Sequence, residues 1–159
     1  MEETELQLRY VFSIHVEFDP RPRLKLGPLP SGGYRGFIGV AGGTITGPRL
    51  QGIVLPHSGG DYPFIRNDGV VVFDARYIIV AADGTNIYMM NRGCRHAPPD
   101  ISRKMEALEP VDPNSYYFRV TPIFDVAKDS PHEWMTRTLF VGKGDRRNGY
   151  TDFEYYEVL

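Results

Sequence analysis

The sequence is poor in cysteine, with Cys94 as the single thiol among 159 residues. One cysteine excludes a disulfide within the chain and every zinc motif that needs paired cysteines. A free thiol is typical of reducing compartments, so we expect a cytoplasmic protein. No HxH or HxxxH spacing occurs among the four histidines, which are His15, His57, His96 and His132. We therefore expect no metal site.

An excess of charge of either sign is also lacking. The 18 Lys and Arg residues are balanced by 20 Asp and Glu, and the net charge is -2. This balance argues against nucleic acid or a membrane surface as a partner. Two short basic segments, RPRLK from residue 21 and DRRNG from residue 145, are interpreted as solvated turns. No apolar run approaches the roughly 20 residues that a membrane-spanning helix needs.

Long helical segments are missing because glycine and proline are frequent, with 17 and 13 residues. Aromatic residues make up 13% of the chain, a composition that favours an all-β protein. Alternating apolar residues predict strands over residues 6–16, 34–46, 49–55, 70–82, 86–90, 115–126, 136–142 and 150–159. Hairpin turns are predicted at Asp83-Gly84 and Asn148-Gly149. We expect residues 1–159 to form a single domain, an antiparallel β-barrel of about eight to ten strands.

Two short helical turns interrupt this pattern. Residues 91–114 are irregular, and we interpret them as a lid-like insertion containing one short helix that Asp100 caps. Ser130 to Glu133 matches a capping box with proline at the first helical position, so a second helical turn should begin there. Glycines 32 to 43 lie along a strand and do not open a helix, so no nucleotide fingerprint exists and we expect no cofactor.

The loop over residues 56–67 is the predicted mouth of a pocket. Asp61 follows two glycines and precedes Tyr62, which would let its carboxylate project into the pocket, where burial raises a carboxyl pKa. Arg66 or Arg119 would hold this group ionised or bind a substrate oxyanion. In the alternative interpretation Asp61 accepts loop backbone hydrogen bonds, and Arg66 pairs with Asp61 or Asp68 for structural reasons alone.

Further side chains are candidates for contacts with a substrate. Aromatic and imidazole groups would supply flat walls, and we assign substrate binding to His57, Tyr62, Tyr77, Tyr117 and Trp134. A second chemistry rests on Cys94 and His96, which point the same way in an extended chain and could form a thiolate–imidazolium pair. No Gly-x-Ser-x-Gly elbow accompanies them, and we interpret both as loop residues.

A string of spaced motifs resembles a known family. The motifs are GGTITGPRLQGIVLP, GGDY, RNDG, DARY, YYFRVTPIF and EWMTRTLFVG. Together they resemble domain of unknown function 3237, also called uncharacterised protein family 0311, from about Arg9 to Val158. Where the family usually has LPGGAD, this chain has LPHSGGDY, which includes His57. The resemblance implies a compact barrel akin to lipocalin-like and allene-oxide-cyclase-like folds, and it implies no particular reaction.

Three functions follow from these observations. The first is a cofactor-independent isomerase, cyclase or lyase that uses Asp61 for acid–base catalysis on a small apolar or aromatic oxygenated compound. The second is a non-catalytic carrier of a hydrophobic metabolite. The third is a structural barrel that its own side chains fill. The terminal segment FEYYEVL is aromatic on both sides and predicts self-association as a homodimer.

Overall fold

The architecture is an antiparallel β-barrel, seen in a computed structural model that describes residues 4–159. Residues with alternating apolar character form strands because successive side chains in a strand point to opposite faces. The strands are β1 Leu8–Phe18, β2 Leu24–Leu26, β3 Tyr34–Thr46, β4 Gly52–Val54, β5 Gly60–Asp61, β6 Phe64–Ile65, β7 Val71–Ala81, β8 Asn86–His96, β9 Tyr117–Val126, β10 Phe140–Arg146 and β11 Tyr150–Val158. One helix, α1, spans Pro99–Glu106, and 3-10 turns occur at Pro113–Ser115 and Glu133–Arg137.

Eight of these strands close the barrel. Their order is β1-β11-β10-β9-β8-β7-β4-β3, and pairing between β3 and β1 completes the circle. The three remaining strands are short: β2 pairs with β3, and β5 and β6 each pair with both β3 and β7. The predicted antiparallel barrel is confirmed, and closure leaves no long edge exposed to another chain.

Most element boundaries follow the predicted pattern, with local corrections. The Asp83-Gly84 hairpin is confirmed between β7 and β8, where Asp83 accepts a hydrogen bond from the Thr85 backbone. The predicted strand over 49–55 shortens to β4, and the one over 136–142 shifts to β10. The largest correction concerns residues 91–96, predicted as irregular, which continue β8 as far as His96 because both neighbouring strands pair with them.

The two predicted helix caps also differ in detail. Pro98, not Asp100, occupies the N-cap position of α1, and no side chain caps this helix. At the second predicted turn, the Glu133 side chain accepts a hydrogen bond from the backbone N–H of Asp129. The predicted capping box places that donor one residue later, at Ser130. The turn is a 3-10 segment over Glu133–Arg137, with His132 at its N-cap position. None of the helices in the described part of the chain is long and apolar enough to cross a membrane.

The barrel interior divides into two halves. One half is solid, packed with fully buried side chains that include Phe12, Ile14, Ile79, Ile87, Met89, Phe124 and Tyr155. The 3-10 turn Glu133–Arg137 closes this end, where Met135 is buried and Trp134 packs against Phe140 with ring centroids 5.6 Å apart. The other half, at the start of β7 and the end of β1, encloses a cavity.

Candidate functional site

A cavity of about 190 Å³ occupies the open half of the barrel. Its wall is mostly apolar and contains five phenylalanine rings, Phe18, Phe37, Phe73, Phe118 and Phe153. Such a volume is close to the ~150 Å³ of a cavity that accepts benzene, so it suits a compound with about one ring. Few polar groups interrupt the wall, which is the usual composition of a small-molecule site.

Asp61 is placed in this wall by β5, a two-residue strand inserted between β3 and β7. It lies opposite Ile38 on β3 and Ala75 on β7. The two preceding glycines permit this insertion: a Cβ on Gly59 would lie 1.8 Å from the Arg76 carbonyl oxygen. The GGD sequence therefore lets the backbone fit tightly between two strands and turns the carboxyl group inward.

The Asp61 carboxyl is nearly inaccessible, with 6% of the residue exposed. Burial raises its pKa from 3.8 to about 6. Its Oδ1 accepts a hydrogen bond from the Asp74 backbone N–H at 3.0 Å, which lowers the pKa, as does the positive charge of Arg95. A carboxyl group with a pKa near neutrality can both accept and donate a proton under physiological conditions.

Two buried polar atoms at the base of the cavity have no hydrogen-bond partner among residues 4–159. They are the hydroxyl oxygen of Tyr77 and Oδ1 of Asn91. The amide nitrogen of Asn91 donates to the Tyr155 hydroxyl at 2.9 Å. The Tyr77 and Tyr155 hydroxyls are close enough that the pKa of each responds to the other as to a hydrogen-bond partner, but the geometry at the Tyr77 oxygen is not that of a well-formed hydrogen bond. Unpaired buried polar atoms are costly and are typical of functional sites.

These base groups form one array with Asp61. Ala75 of β7 lies opposite Asp61 on one side and opposite Asn91 on the other. Its small side chain leaves space between the carboxyl and the amide. Tyr77 follows two residues along β7 and therefore points to the same interior face. The array offers an acid or base, a hydroxyl and a carbonyl oxygen around one volume.

Three arginines, Arg23, Arg95 and Arg146, surround the mouth of the cavity. The pKa of Arg95 falls to about 10, chiefly because of burial and then because of the charge of Arg146. Its guanidinium lies 5.4 Å from the Phe73 ring centroid and 5.6 Å from that of Phe118. The same three arginines also line a wider basin outside the cavity, beside α1.

The structure does not bring Arg66 or Arg119 to the cavity, contrary to the expectation that one of them faces Asp61. Arg66 is exposed after β6 and pairs with Asp68, as the structural interpretation of this loop proposed. Arg119 is on β9, where Phe118 and Val120 point inward. Strand alternation therefore turns Arg119 outward, where its guanidinium lies over the Tyr117 ring at 5.1 Å.

Of the five candidate substrate-binding residues, Tyr77 alone lines the cavity. Tyr117 faces outward beside Arg119, and Tyr62 faces outward from β5 with 53% of its surface exposed. His57 is exposed with a positive φ of 56°, and it lines an outer groove together with Tyr62. Trp134 lies at the closed end of the barrel, where the Arg49 guanidinium lies 3.5 Å from its ring centroid.

Cys94 and His96 lie on β8 with their side chains on the same face, as the extended-chain argument predicts. That face is the outer one, because Asn91 and Arg95 point inward. His96 stacks on Tyr117 with ring centroids 5.0 Å apart. Over residues 4–159, no group of three or more His, Cys, Asp or Glu side chains is arranged to hold a metal ion.

The interior residues that the sequence analysis missed are Arg23, Asn91, Arg95, Arg146 and Tyr155. A usable signal existed for two of them. Continuing the alternation of Ile87 and Met89 along β8 places Asn91 and Arg95 on the same inner face. Arg23 and Arg146 belong to the two basic segments that were interpreted as solvated turns, and only the closed barrel brings them together.

The chain is similar to proteins whose functions are not assigned. The family model described as "Protein of unknown function (DUF3237)" matches residues 6–158. A UPF0311 protein of Clostridium acetobutylicum is 34% identical, with 97% of this chain and 95% of the relative covered. A solved structure of a conserved protein of unknown function from Rhodopseudomonas palustris has a TM-score of 0.89 and 30% identity, covering 99% of both chains.

A more distant solved structure has the same fold. It is described as an enzyme from Penicillium herquei, with a TM-score of 0.73 and 20% identity over 100% of this chain and 98% of that one. At this identity the likeness concerns the fold alone.

Proposed function

The chain belongs to the DUF3237 family of proteins of unknown function, and from this premise we propose that its barrel is a cofactor-independent acid–base enzyme. The reaction class is that of an isomerase, cyclase or lyase, and the substrate is a small, largely apolar or aromatic oxygenated compound. The observation that carries this proposal is the buried Asp61 carboxyl, with a pKa of about 6, in the wall of a cavity with room for about one ring.

The chemistry follows from the groups around the cavity. The ionised Asp61 carboxylate removes a proton from a carbon next to a carbonyl group, and the electron pair of the broken C–H bond moves toward the carbonyl oxygen. The unpaired Tyr77 hydroxyl donates a hydrogen bond to that oxygen as its negative charge develops. Protonated Asp61 then returns the proton to a different atom, or a leaving group departs.

The environment of the carboxyl supports this role over a purely structural one. A structural loop aspartate is stabilised in its ionised form. Asp68 is an example, because a hydrogen bond from the Val70 backbone N–H lowers its pKa. Asp61 has the opposite perturbation, because burial raises its pKa. Strongly perturbed carboxyl groups in a cleft are typical of catalytic sites. The Penicillium herquei enzyme supports the proposal only in that a barrel of this fold is described as an enzyme.

The second candidate function is a non-catalytic carrier. It is favoured by the apolar wall and by the two unpaired polar atoms, which would recognise an oxygenated ligand without any reaction.

In either case we place the protein in the cytoplasm, where a free thiol such as Cys94 stays reduced.

Hydrogen–deuterium exchange into bound compounds tests the proposal. Cyclic enones and phenolic ketones are incubated with the protein in D₂O, and NMR measures both binding and deuterium incorporation next to the carbonyl group. We expect exchange with the unmodified protein and with the exposed-loop control Asp68→Asn. Exchange should disappear in Asp61→Asn while binding persists. The Tyr77→Phe variant should slow exchange about a hundredfold, the usual effect of losing one oxyanion donor.

Three outcomes would overturn catalysis by Asp61. If compounds bind but none of them exchanges, and their affinity is unchanged in Asp61→Asn, the protein is a carrier. Exchange that survives in Asp61→Asn would assign the proton transfer to another group. A barrel that binds none of the compounds would favour the structural alternative.

A further inference from the structure

The mouth of the cavity carries positive charge that no acidic side chain in the described chain neutralises through a salt bridge. Arg23, Arg95 and Arg146 come from three distant parts of the sequence, yet all three line both the cavity and the outer basin. Several arginines elsewhere on the barrel are paired with acids, such as Arg76 with Asp74 and Arg147 with Asp145. Positive charges gathered without such partners are unfavourable unless an anion joins them.

The contacts of the three arginines leave donors free. Arg146 donates one hydrogen bond, at 2.7 Å, to the Met105 carbonyl oxygen in α1. Arg95 is held by the faces of Phe73 and Phe118, which themselves stack at 4.9 Å. Contacts with aromatic faces fix a guanidinium without using its N–H groups. The five donors of an arginine match the two oxygens of a carboxylate in a bidentate arrangement.

Acidic groups near the mouth have other positions or partners. Asp19 lines the outer basin and pairs with Arg21, and Glu106 of α1 lies on the same basin. Tyr116 donates a hydrogen bond to Asp145. Asp61 lies deeper, and its charge is felt by Arg95 and Arg23 across the cavity. Burial is the main cause of the lowered pKa of Arg95 and Arg146, and the charge of Arg23 lowers both further, while the charge of Glu106 raises that of Arg146.

Strand geometry sets the length between mouth and base. Asn91 and Arg95 are four residues apart on β8, which corresponds to about 13 Å of strand. Arg95 lies opposite Val71 at the start of β7, while Asn91 lies opposite Ala75. A ring with one polar group reaching the base and one charged group at the mouth fits this span.

We propose that the ligand is a small carboxylate, with its carboxyl group bound by Arg23, Arg95 and Arg146 and its ring in the cavity. A hydroxyl or carbonyl group at the opposite end of the ligand meets the unpaired atoms of Tyr77 and Asn91. This assignment rests on the proposed function for the location of the site, and it adds the substrate class.

Matched pairs of probes test the charge requirement. Benzoate, 4-hydroxybenzoate and 3-(4-hydroxyphenyl)propionate are each compared with the corresponding neutral amide by isothermal titration calorimetry. We expect the carboxylates to bind roughly ten- to a hundredfold more tightly than the amides, as is typical of hydrogen bonds to a charged group. The carboxylate affinity should fall as sodium chloride is added, and the amide affinity should not.

Arginine variants locate the effect. Arg95→Gln should abolish the preference for carboxylate, and Arg23→Gln, at the exposed rim, should reduce it without affecting folding. Arg119→Gln is the control, because it removes the same charge from the outer face of the neighbouring strand. It should leave the preference unchanged.

The possible failures are distinguishable. The proposal is overturned if each acid binds with the same affinity as its amide, or if no carboxylate binds. The exchange experiment with neutral ketones decides the role of Asp61 separately. Arginine-dependent binding of inorganic phosphate, with no carboxylate binding, also overturns it and assigns the mouth to phosphorylated compounds. Arginine-dependent carboxylate binding without proton exchange supports the proposal and leaves a carrier as the function.

Discussion

Asp61 is a carboxyl group held among apolar side chains, and we expect this position to affect the pH dependence of stability. Its pKa in the folded chain, about 6, lies above the value of an unfolded aspartate. At low pH, where Asp61 is protonated, its burial therefore does not reduce the free energy of unfolding. The contribution becomes unfavourable as the pH rises from about 4 through 6, because the folded state must then hold a buried charge.

We expect Asp61→Asn to stabilise the protein at neutral pH. The difference from the unmodified protein should be small at pH 4 and grow to about 3 kcal/mol at pH 7, at 1.36 kcal/mol for each pKa unit. Urea denaturation at both pH values measures it. The control Asp68→Asn should show the opposite trend, because the folded-state pKa of Asp68 is lowered and its stabilising contribution is lost as the pH falls. Parallel pH profiles for Asp61→Asn and the unmodified protein would contradict the buried-carboxyl interpretation.

At the residue scale the sequence predicted that Asp61 and Tyr77 face the interior, because local sequence determined their direction. Two glycines orient Asp61, and strand alternation orients Tyr77. The same alternation turns Arg119 outward, away from Asp61. The arginines that line the cavity include Arg23 and Arg146, which lie 123 residues apart in sequence. Their meeting depends on barrel closure, which no local pattern specifies.

Strand β3 shows how glycine serves closure at the scale of the element. Gly43 has a φ of 154°, and a Cβ there would lie 2.0 Å from the His15 carbonyl oxygen of β1. This contact is at the seam where β3 pairs with β1 and completes the circle. Glycine is thus required at this position of the strand by close backbone approach.

We expect Gly43→Ala to destabilise the protein by at least about 3 kcal/mol, because the added methyl group must displace the backbone of β1. The control is Gly84→Ala in the β7–β8 hairpin, where φ is 87° and a Cβ would meet nothing within 4 Å. That change should destabilise the protein by about 1–2 kcal/mol, which is the conformational energy of placing a non-glycine residue at positive φ. Urea denaturation of both variants gives the comparison, and equal losses would show that the seam tolerates a side chain.

Element prediction was most accurate where the period of two was clean. The limits of β3 match the predicted strand, and the hairpin turns at Asp83-Gly84 and Asn148-Gly149 lie where predicted. The errors fall where glycine and charged residues obscure alternation, above all at Asn91 to His96. There the pairing of β7 and β9 on both sides extends a strand that the local sequence only weakly favours.

At the scale of the whole molecule, an apolar surface remains on the outside of the closed end. We name it the terminal patch, and its members are Leu6, Leu8, Leu139 and Leu159. Backbone hydrogen bonds hold it together: Leu159 donates to Gln7, and Val158 donates to Leu139, each at 2.9 Å. Exposed apolar groups gathered in one place are typical of an association surface.

We expect the homodimer predicted from the sequence to form through the terminal patch, which keeps both cavity mouths accessible. Sedimentation velocity should show a dimer for the unmodified protein and a monomer for Leu139→Glu. Val72→Glu is the control, since it adds the same charge at an exposed apolar residue of β7 near the open end. It should remain a dimer. A monomeric unmodified protein would refute self-association.

The solid half of the barrel has a consequence for the order of binding and release in the proposed enzyme. Phe12, Phe124 and Tyr155 fill the solid half, and Tyr155 accepts a hydrogen bond from Asn91 at the base of the cavity. A compound that enters must therefore depart by the same route. A blind chamber with room for about one ring admits one reactant at a time. In the proposed enzyme the reaction therefore starts from a single substrate molecule, and product that is still bound competes directly with the next substrate molecule.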